Sequence, residues 1–362
     1  MFEQRIAEQT GISPKQVFNT LELLATGATV PFISRYRKEA TGSLDEVQVA
    51  EIRDLNHKFE ALEKRRKFIL ESIEEQGKLT DDLKSQIEKA GELSELEDLY
   101  LPYKPKKKTR ATIARSKGLE PLAKMLMAQR PFDIEAKAAE FLSKEKGVET
   151  LDDALAGARD IIAEWVNENP RVRASVRKLF VQNGMIKSGV VKAKEEEGVK
   201  YKTYFEWEEK ALKSPSHRVL AMFRGEKEGF LRIKIEPGIE EALGRIDLLI
   251  LKAENETTEH LQMAIDDSYK RLIAPSMENE IRSMIKEKAD EAAIKVFAEN
   301  LRQLLLAAPL GPKNILAIDP GFRTGCKVVV LDRQGNLKHN ETIYPHPPQR
   351  ETKQAINKIS SL

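Results

Sequence analysis

SLDEVQVAEIRDLNHKFEALEKRRKFILESIEEQG, residues 43–77, decides the fold class. Ile52, Leu55, Phe59, Leu62, Ile69 and Ile73 follow alternating steps of three and four, with Arg66 in the one skipped position. That spacing puts one apolar stripe along a helix of about 30 residues, roughly 45 Å at 1.5 Å per residue. Ser43 is the expected N-cap, Asp45 and Glu46 suit the positive end of the first turn, and Gly77 stops the helix. The stripe reads as a packing seam against neighbouring helices, not as a free-standing coiled coil. The chain is therefore expected to be mainly α, an elongated scaffold of many helices.

Upstream, Phe2, Ile6, Val17, Leu21 and Leu24 mark two short helices, with Pro14 at the first helical position of the second. Ala7, Gly11 and Val17 fit a helix-turn-helix, and equally an ordinary helical hairpin. The second helix, SPKQVFNTLE (13–22), holds one Lys and one Glu, a poor surface for phosphates. Downstream, helices are expected over 79–101, 118–129, from Asp133 through 158–170, over 214–229 with Ser216 as N-cap, over 257–273 and from Ser276 to about Ala308. A small β element is expected near 186–236, where GFLRIKIEPG (229–238) alternates apolar and basic residues.

Composition narrows the function classes. The 362 residues carry 60 Lys+Arg against 58 Asp+Glu, a net charge of +2, so bulk charge does not coat nucleic acid. Charged residues reach 33% and aromatics 6%, which favours long exposed helices. A single cysteine, Cys326, allows no internal disulfide and no cysteine-based zinc cluster. The five histidines lack metal-ligand spacing, and no GxxxxGK[ST] loop occurs. No cofactor or structural metal is expected. The N-terminus has no apolar signal region, and no apolar stretch approaches the ~18 residues that span a bilayer, so a cytoplasmic setting is expected.

The texture changes at Pro312. NILAIDPGFRTGCKVVVLDRQGNLKHNETIYP (314–345) gives strand, DPG turn, strand, DRQGN turn and strand. This resembles the opening meander of an RNase H-like α/β domain, in which an aspartate ending the first strand holds a divalent metal. Asp319 occupies that place and is a vestigial candidate only. It also fits plain turn capping. Gly321 and Gly325 permit tight turns where backbone approaches a phosphate. Only 19 residues follow Ile343, too few for a fourth strand and a late helix. The carboxylate set is therefore not expected to be completed here, no enzymatic activity is expected of the chain, and it reads as the N-terminal piece of a longer protein.

Two basic segments carry the remaining chemistry. YKPKKKTRATIARSKG (103–118) contains Lys104, Lys106, Lys107, Lys108 and Arg110, and no acid. It suits a solvated loop and a phosphate-contacting loop alike. Residues 171–202 hold nine bases, including Arg171, Arg173, Arg177 and Lys178, followed by Tyr201, Tyr204, Phe205 and Trp207. Aromatics beside bases can stack on nucleobases, or the same residues can form a strand-like cover. Helices of this length would present the two segments at a distance from each other.

The chain resembles the Tex family of bacterial transcription accessory proteins over its whole length. VPFISRYRKEATGSLDE (30–46), LYLPYKPKKKTRATIARSKGLEPLA (99–123), GARDIIAEWVNE (157–168), SPSHRVLAMFRGEKEG (214–229), DSYKRLIAPSMENEIR (267–282) and AIDPGFRTGCKVVVLD (317–332) match in the family's order. The resemblance implies a helical protein related to eukaryotic Spt-type elongation factors. It also implies nucleic-acid binding and a role in transcription, with no established reaction. The family continues with the rest of a YqgF (RNase H-like) domain, tandem helix-hairpin-helix elements and an OB-fold RNA-binding domain, all expected beyond Leu362. The expected divisions are an N-terminal region over 1–75, a helical scaffold over 76–310 and a truncated YqgF domain over 313–362. The expected function is that of a non-enzymatic accessory factor touching RNA or DNA, without sequence preference, through the two basic segments. The alternatives are a metal-dependent nuclease in the intact protein and a protein scaffold for RNA polymerase.

Overall fold

The structure is a computed structural model that describes residues 2–321 and 324–362. Phe322 and Arg323, inside the last of the blocks above, lie outside the described residues. The chain divides into two compact units, Met1–Asp290 and Glu291–Leu362.

The seam helix runs Glu46–Glu75. Its N-cap is Asp45, not Ser43: Asp45 and Gln48 form a reciprocal capping box. Ser43 instead follows Gly42 with φ of 65° at both, the left-handed step that ends the short helix Lys38–Thr41. The first half of the seam packs Val49, Ile52 and Phe59 against Ile6, Val17 and Ile33 of the N-terminal helices. Ile6 and Val17 lie on Glu3–Thr10 and Pro14–Ala25, which are joined by a turn at Gly11, and Ile33 lies on Val30–Tyr36. The second half packs Leu62, Ile69 and Ile73 against Ile87, Leu96 and Tyr100.

Arg66, the one break in the stripe, is buried yet satisfied. Its Nε donates to the Ile87 carbonyl at 3.1 Å and its Nη2 to that of Ala90 at 2.8 Å. These carbonyls end the helix Asp81–Lys89, where a cation offsets the negative end of the dipole. Ala90 and Gly91 also break the expected 79–101 helix in two, its second part being Leu93–Tyr100.

A larger core joins Leu151–Asn167, Pro170–Asn183, Ile239–Ile250 and Thr257–Ser268. Trp165 packs against it. The expected helix from Asp133 is interrupted: Ile134–Ala139 ends, Ser143 and Val148 form an isolated bridge, and helix resumes at Leu151. The helix Ser216–Lys227 begins at the residue expected to cap it, one residue earlier than expected, with Pro215 in the cap position. Thr257–Ser268 and Ala274–Leu305 are joined by one π-helical turn, Tyr269–Ile273. Pro275 lacks an amide hydrogen, and the wider turn before it takes up that break.

The small β element is an antiparallel sheet ordered β2-β1-β3: β1 Met185–Val190, β2 Glu206–Lys210 and β3 Leu231–Glu236. In the second unit β4 Ile315–Asp319, β5 Cys326–Leu331 and β6 Leu337–Ile343 form the expected meander, followed by the helix Thr352–Ser360. Cys326, Val328, Ile343 and Ala355 make its small core. The fold class is thus mainly α, with the start of an RNase H-like domain. Among the described residues no helix is long and apolar enough to cross a membrane.

Candidate nucleic-acid interface

The basic loop begins where Pro102 turns the chain through the 3₁₀ segment Leu101–Tyr103. Gln76 Nε2 donates to the Tyr103 carbonyl at 3.0 Å, pinning that turn to the end of the seam helix. Thr109 then caps the helix Arg110–Ser116. Between these two fixed points Lys106 turns inward. Its Nζ lies 2.8 Å from Glu164 Oε1 and also pairs with Glu168. Glu164 gathers two further donors, Arg115 Nη1 at 2.6 Å and Thr109 Oγ1 at 3.2 Å.

Burial alone would raise the Glu164 carboxyl, but the hydrogen bonds from Lys106 and Arg115 outweigh it and hold the group below its ordinary value. At Glu168 burial dominates and Lys106 offsets it only in part, so that carboxyl sits above its ordinary value. Beneath the loop a cavity of 210 Å³ is lined by Lys104, Asp160, Asn167 and Arg271 among others.

The second basic segment starts three residues after Glu168. Asn169 caps the helix Pro170–Asn183. Within it Arg173 and Arg177, one turn apart, both face inward. Arg173 Nε donates to Asp98 Oδ1 at 2.5 Å and Arg177 Nη1 lies 2.6 Å from Asp98 Oδ2. Arg177 Nε reaches Glu280 Oε1 at 2.6 Å, and Arg173 Nη2 reaches Ser276 Oγ at 3.0 Å. Burial opposes the Arg177 charge, yet its hydrogen bonds to Asp98 and Glu280 raise its pKa further. A buried pair of this kind costs desolvation when formed and more when one partner is removed. These arginines therefore bind helices together.

Of the residues expected to meet nucleic acid, Lys106, Arg173 and Arg177 are committed to internal ion pairs. Arg110 is exposed, with Asp267 4.0 Å away. Lys104, Lys107, Lys108, Arg171 and Lys178 are exposed and hold no ion pair among the described residues. Arg171 and Lys178 are seven apart, two turns, so they share the face opposite Arg173 and Arg177. The two segments are not held apart as the helix lengths suggested. Lys106 on Glu164 and Glu168 seats the loop at the end of Leu151–Asn167, from which the Arg171 helix departs.

The aromatics after the second segment are used internally. Tyr201 is 6% exposed, Tyr204 and Trp207 meet edge to face at 5.9 Å, and the Arg218 guanidinium lies 5.1 Å from the Trp207 ring. Tyr201, Tyr204 and Trp207 thus serve as cover of the small sheet, while Phe205 is half-buried beside Lys192, Lys194 and Lys202.

Asp319 ends β4 opposite Lys327 and is exposed. A Cβ on Gly321 would lie 2.4 Å from the Gly325 carbonyl oxygen, and one on Gly325, at φ 87°, would lie 2.5 Å from Tyr344. Packing of the hairpin thus demands both glycines without a phosphate. Among the described residues no three His, Cys, Asp or Glu side chains converge as metal ligands. Asp319 therefore does not by itself fit the several-carboxylate site of a two-metal centre.

Sequence reasoning missed the acids Asp98, Glu164, Glu168 and Glu280. A signal existed for Glu164, which stands among Ile161, Ile162 and Val166 on an apolar face, where a carboxylate requires a partner. Likewise Arg173 and Arg177 alternate with Val172, Val176 and Phe180, all buried.

Comparison with known proteins gives three family matches in chain order. Tex-like protein N-terminal domain covers residues 1–74, Tex central region-like covers 129–297, and Tex protein YqgF-like domain covers 313–362. The chain is 45% identical to the uncharacterized protein YdcI of Bacillus subtilis, over 100% of this chain and 51% of that protein. It is 40% identical to the transcriptional accessory protein Tex of Neisseria gonorrhoeae, over 94% of this chain and 46% of that one. It is 28% identical to the human S1 RNA-binding domain-containing protein 1, over 95% of this chain and 36% of that protein. The chain spans about half the length of the bacterial relatives it matches.

Proposed function

Because the chain belongs to the Tex family, we propose that it acts as a transcription accessory factor contacting nucleic acid through Lys104, Lys107, Lys108, Arg171 and Lys178, with Arg110 at the margin. The observation that carries this reading is the anchoring of Lys106 on Glu164 and Glu168. One lysine of the run is spent fixing the loop, and its neighbours are left exposed beside the helix that bears Arg171 and Lys178. Cations held on a rigid backbone meet a phosphate chain with less ordering cost than cations on a free loop.

Such contacts carry no sequence information, so the binding is sequence-independent and salt-sensitive. Lys106, Arg173 and Arg177 are positioning groups in this reading. The setting is cytoplasmic, and RNA polymerase is the partner machinery in view. No chemical step is assigned to Asp319.

The test is binding of DNA and RNA by this chain across a salt series. Replacing Lys107 and Lys108 together by Glu is expected to weaken binding at every sequence. It should also lower the salt slope by about 0.7–0.9 per lost contact. Unchanged affinity and slope would remove the loop from the interface.

A further inference from the structure

Phe32 and Tyr36 stand four residues apart on the helix Val30–Tyr36, so they share one face, with ring centroids 5.6 Å apart. Ile33 and Ser34 supply the buried side of this helix, while Tyr36 is 67% and Phe32 42% exposed. Cations surround the pair. The Arg37 guanidinium lies 5.8 Å from the Phe32 ring centroid and 3.8 Å from Glu39 Oε1, an exposed pair that leaves the cation in water. Arg35 pairs with Glu46 at 3.1 Å and remains mostly exposed, and Lys38 is exposed with no ion pair among the described residues.

The backbone beneath is held from a second helix. Asn19 Nδ2 donates to the Ala40 carbonyl at 2.7 Å, and Gln16 Nε2 to those of Thr41 and Gly42 at 3.1 and 3.2 Å. The rings and cations are therefore presented on a fixed turn.

We propose that this face binds single-stranded nucleic acid, with a base stacked on Tyr36 beside Phe32 and the flanking phosphates met by Arg35, Arg37 and Lys38. Every base offers a π-face, so the contact is indifferent to sequence. A duplex keeps its base faces stacked inside and can use only the cations, which makes the site selective for single strands. An acidic peptide would likewise engage the cations, but it gives no reason for two large rings in water beside them. The inference rests on the nucleic-acid reading above and adds a second contact surface, built on a different hydrophobic cluster from the Lys104–Lys178 surface.

The experiment is a fluorescence-anisotropy titration of the 362-residue chain with a labelled mixed-sequence single-stranded RNA and with its blunt duplex. Tyr36→Ala is expected to weaken single-strand binding about tenfold, the usual worth of one stacked base. The salt slope and duplex affinity should stay unchanged, and Tyr36→Phe should bind as the parent chain does. Normal single-strand binding by Tyr36→Ala, with loss in the Lys107→Glu, Lys108→Glu chain, overturns this site and leaves the wider reading standing. Equal loss on single strand and duplex also overturns it, because stacking would not weaken duplex binding. An acidic peptide that competes through Tyr36 while RNA binding ignores that residue reassigns the face and overturns it too. Absence of binding to both RNA and DNA by the parent chain sinks both readings.

Discussion

Residues 194–207 and 32–38 both set basic residues among large aromatics, Lys194, Lys200 and Lys202 in the first and Arg35, Arg37 and Lys38 in the second, and they end in opposite states. In the first, Lys194 lies 5.8 Å from the Phe230 ring centroid, Lys200 lies 5.1 Å from that of Tyr201, and Trp207 packs on the main core. In the second, Tyr36 and Phe32 face water. What differs is the surface each segment crosses. The first passes over the sheet β2-β1-β3 and the helix Ser216–Lys227, where Gly225, lacking a Cβ, leaves room for Leu231 and the Tyr201 ring. The second finishes a seven-residue helix that meets its core through Val30, Ile33 and Ser34. Cation and aromatic content therefore predicts a cation–aromatic surface, and the local apolar demand decides which way that surface points.

Deleting one ring from each region tests this division most severely. Tyr201→Ala should cost about 3–5 kcal/mol of folding stability, the range for truncating a large buried aromatic. Tyr36→Ala should stay within about 0.5 kcal/mol, as exposed substitutions do. Urea unfolding of both variants provides the measurement. A Tyr36 chain as destabilised as the Tyr201 chain would mean that the exposed ring is a structural one, and the two regions would no longer differ.

Much of the fold could be read from the chain because its elements are long and periodic. The three- and four-residue steps from Ile52 to Ile73 fix the seam helix, and the alternation in GFLRIKIEPG fixes β3. Interruptions were harder to read. Ala90 and Gly91 break a helix whose flanks both look helical, and Asp45 outcompetes Ser43 as a cap because Gln48 stands three residues on. The interface was legible in composition but not in geometry. The basic runs at 104–110 and 171–178 are plain in the sequence. Which members are free depends on Asp98, Glu164 and Glu280, acids from 20 or more residues away or from another helix, whose pairing only the tertiary structure supplies. Phe32 and Tyr36 showed no period of their own, since a helix of two turns is too short to display one.

Acid tests the internally used class by another route. The folded-state pKa of Glu164 is depressed, so its contribution to stability is fully present above the unfolded value near 4.3. It is lost as pH falls through the lower folded value. Glu168 runs the other way: its raised pKa contributes stability below the unfolded value, lost as pH rises through the folded one. In Glu164→Gln the stability difference from the parent chain should shrink as pH drops below about 4, read from urea midpoints over a pH series. A difference that grows on acidification would show that Lys106 and Arg115 do not hold Glu164 charged, and that Lys106 belongs with the free cations.

The smallest effect is expected at Lys200, and it probes the boundary between the regions. Lys200 pairs with Glu228 at 2.5 Å and lies over Tyr201 and Phe230, yet its side chain is mostly in water. Its pKa is raised first by the hydrogen bond to Glu228. Exposed pairs contribute little, because water and salt screen them and two long side chains must be ordered. In Lys200→Met the aliphatic stem that covers the rings remains while the charge goes. Neither the urea midpoint nor the affinity for single-stranded RNA should move measurably. A fall in RNA affinity with the fold intact would give residues 194–207 a cation working outward. The contrast with residues 32–38 would then be one of degree, with both segments contributing to one extended electrostatic surface.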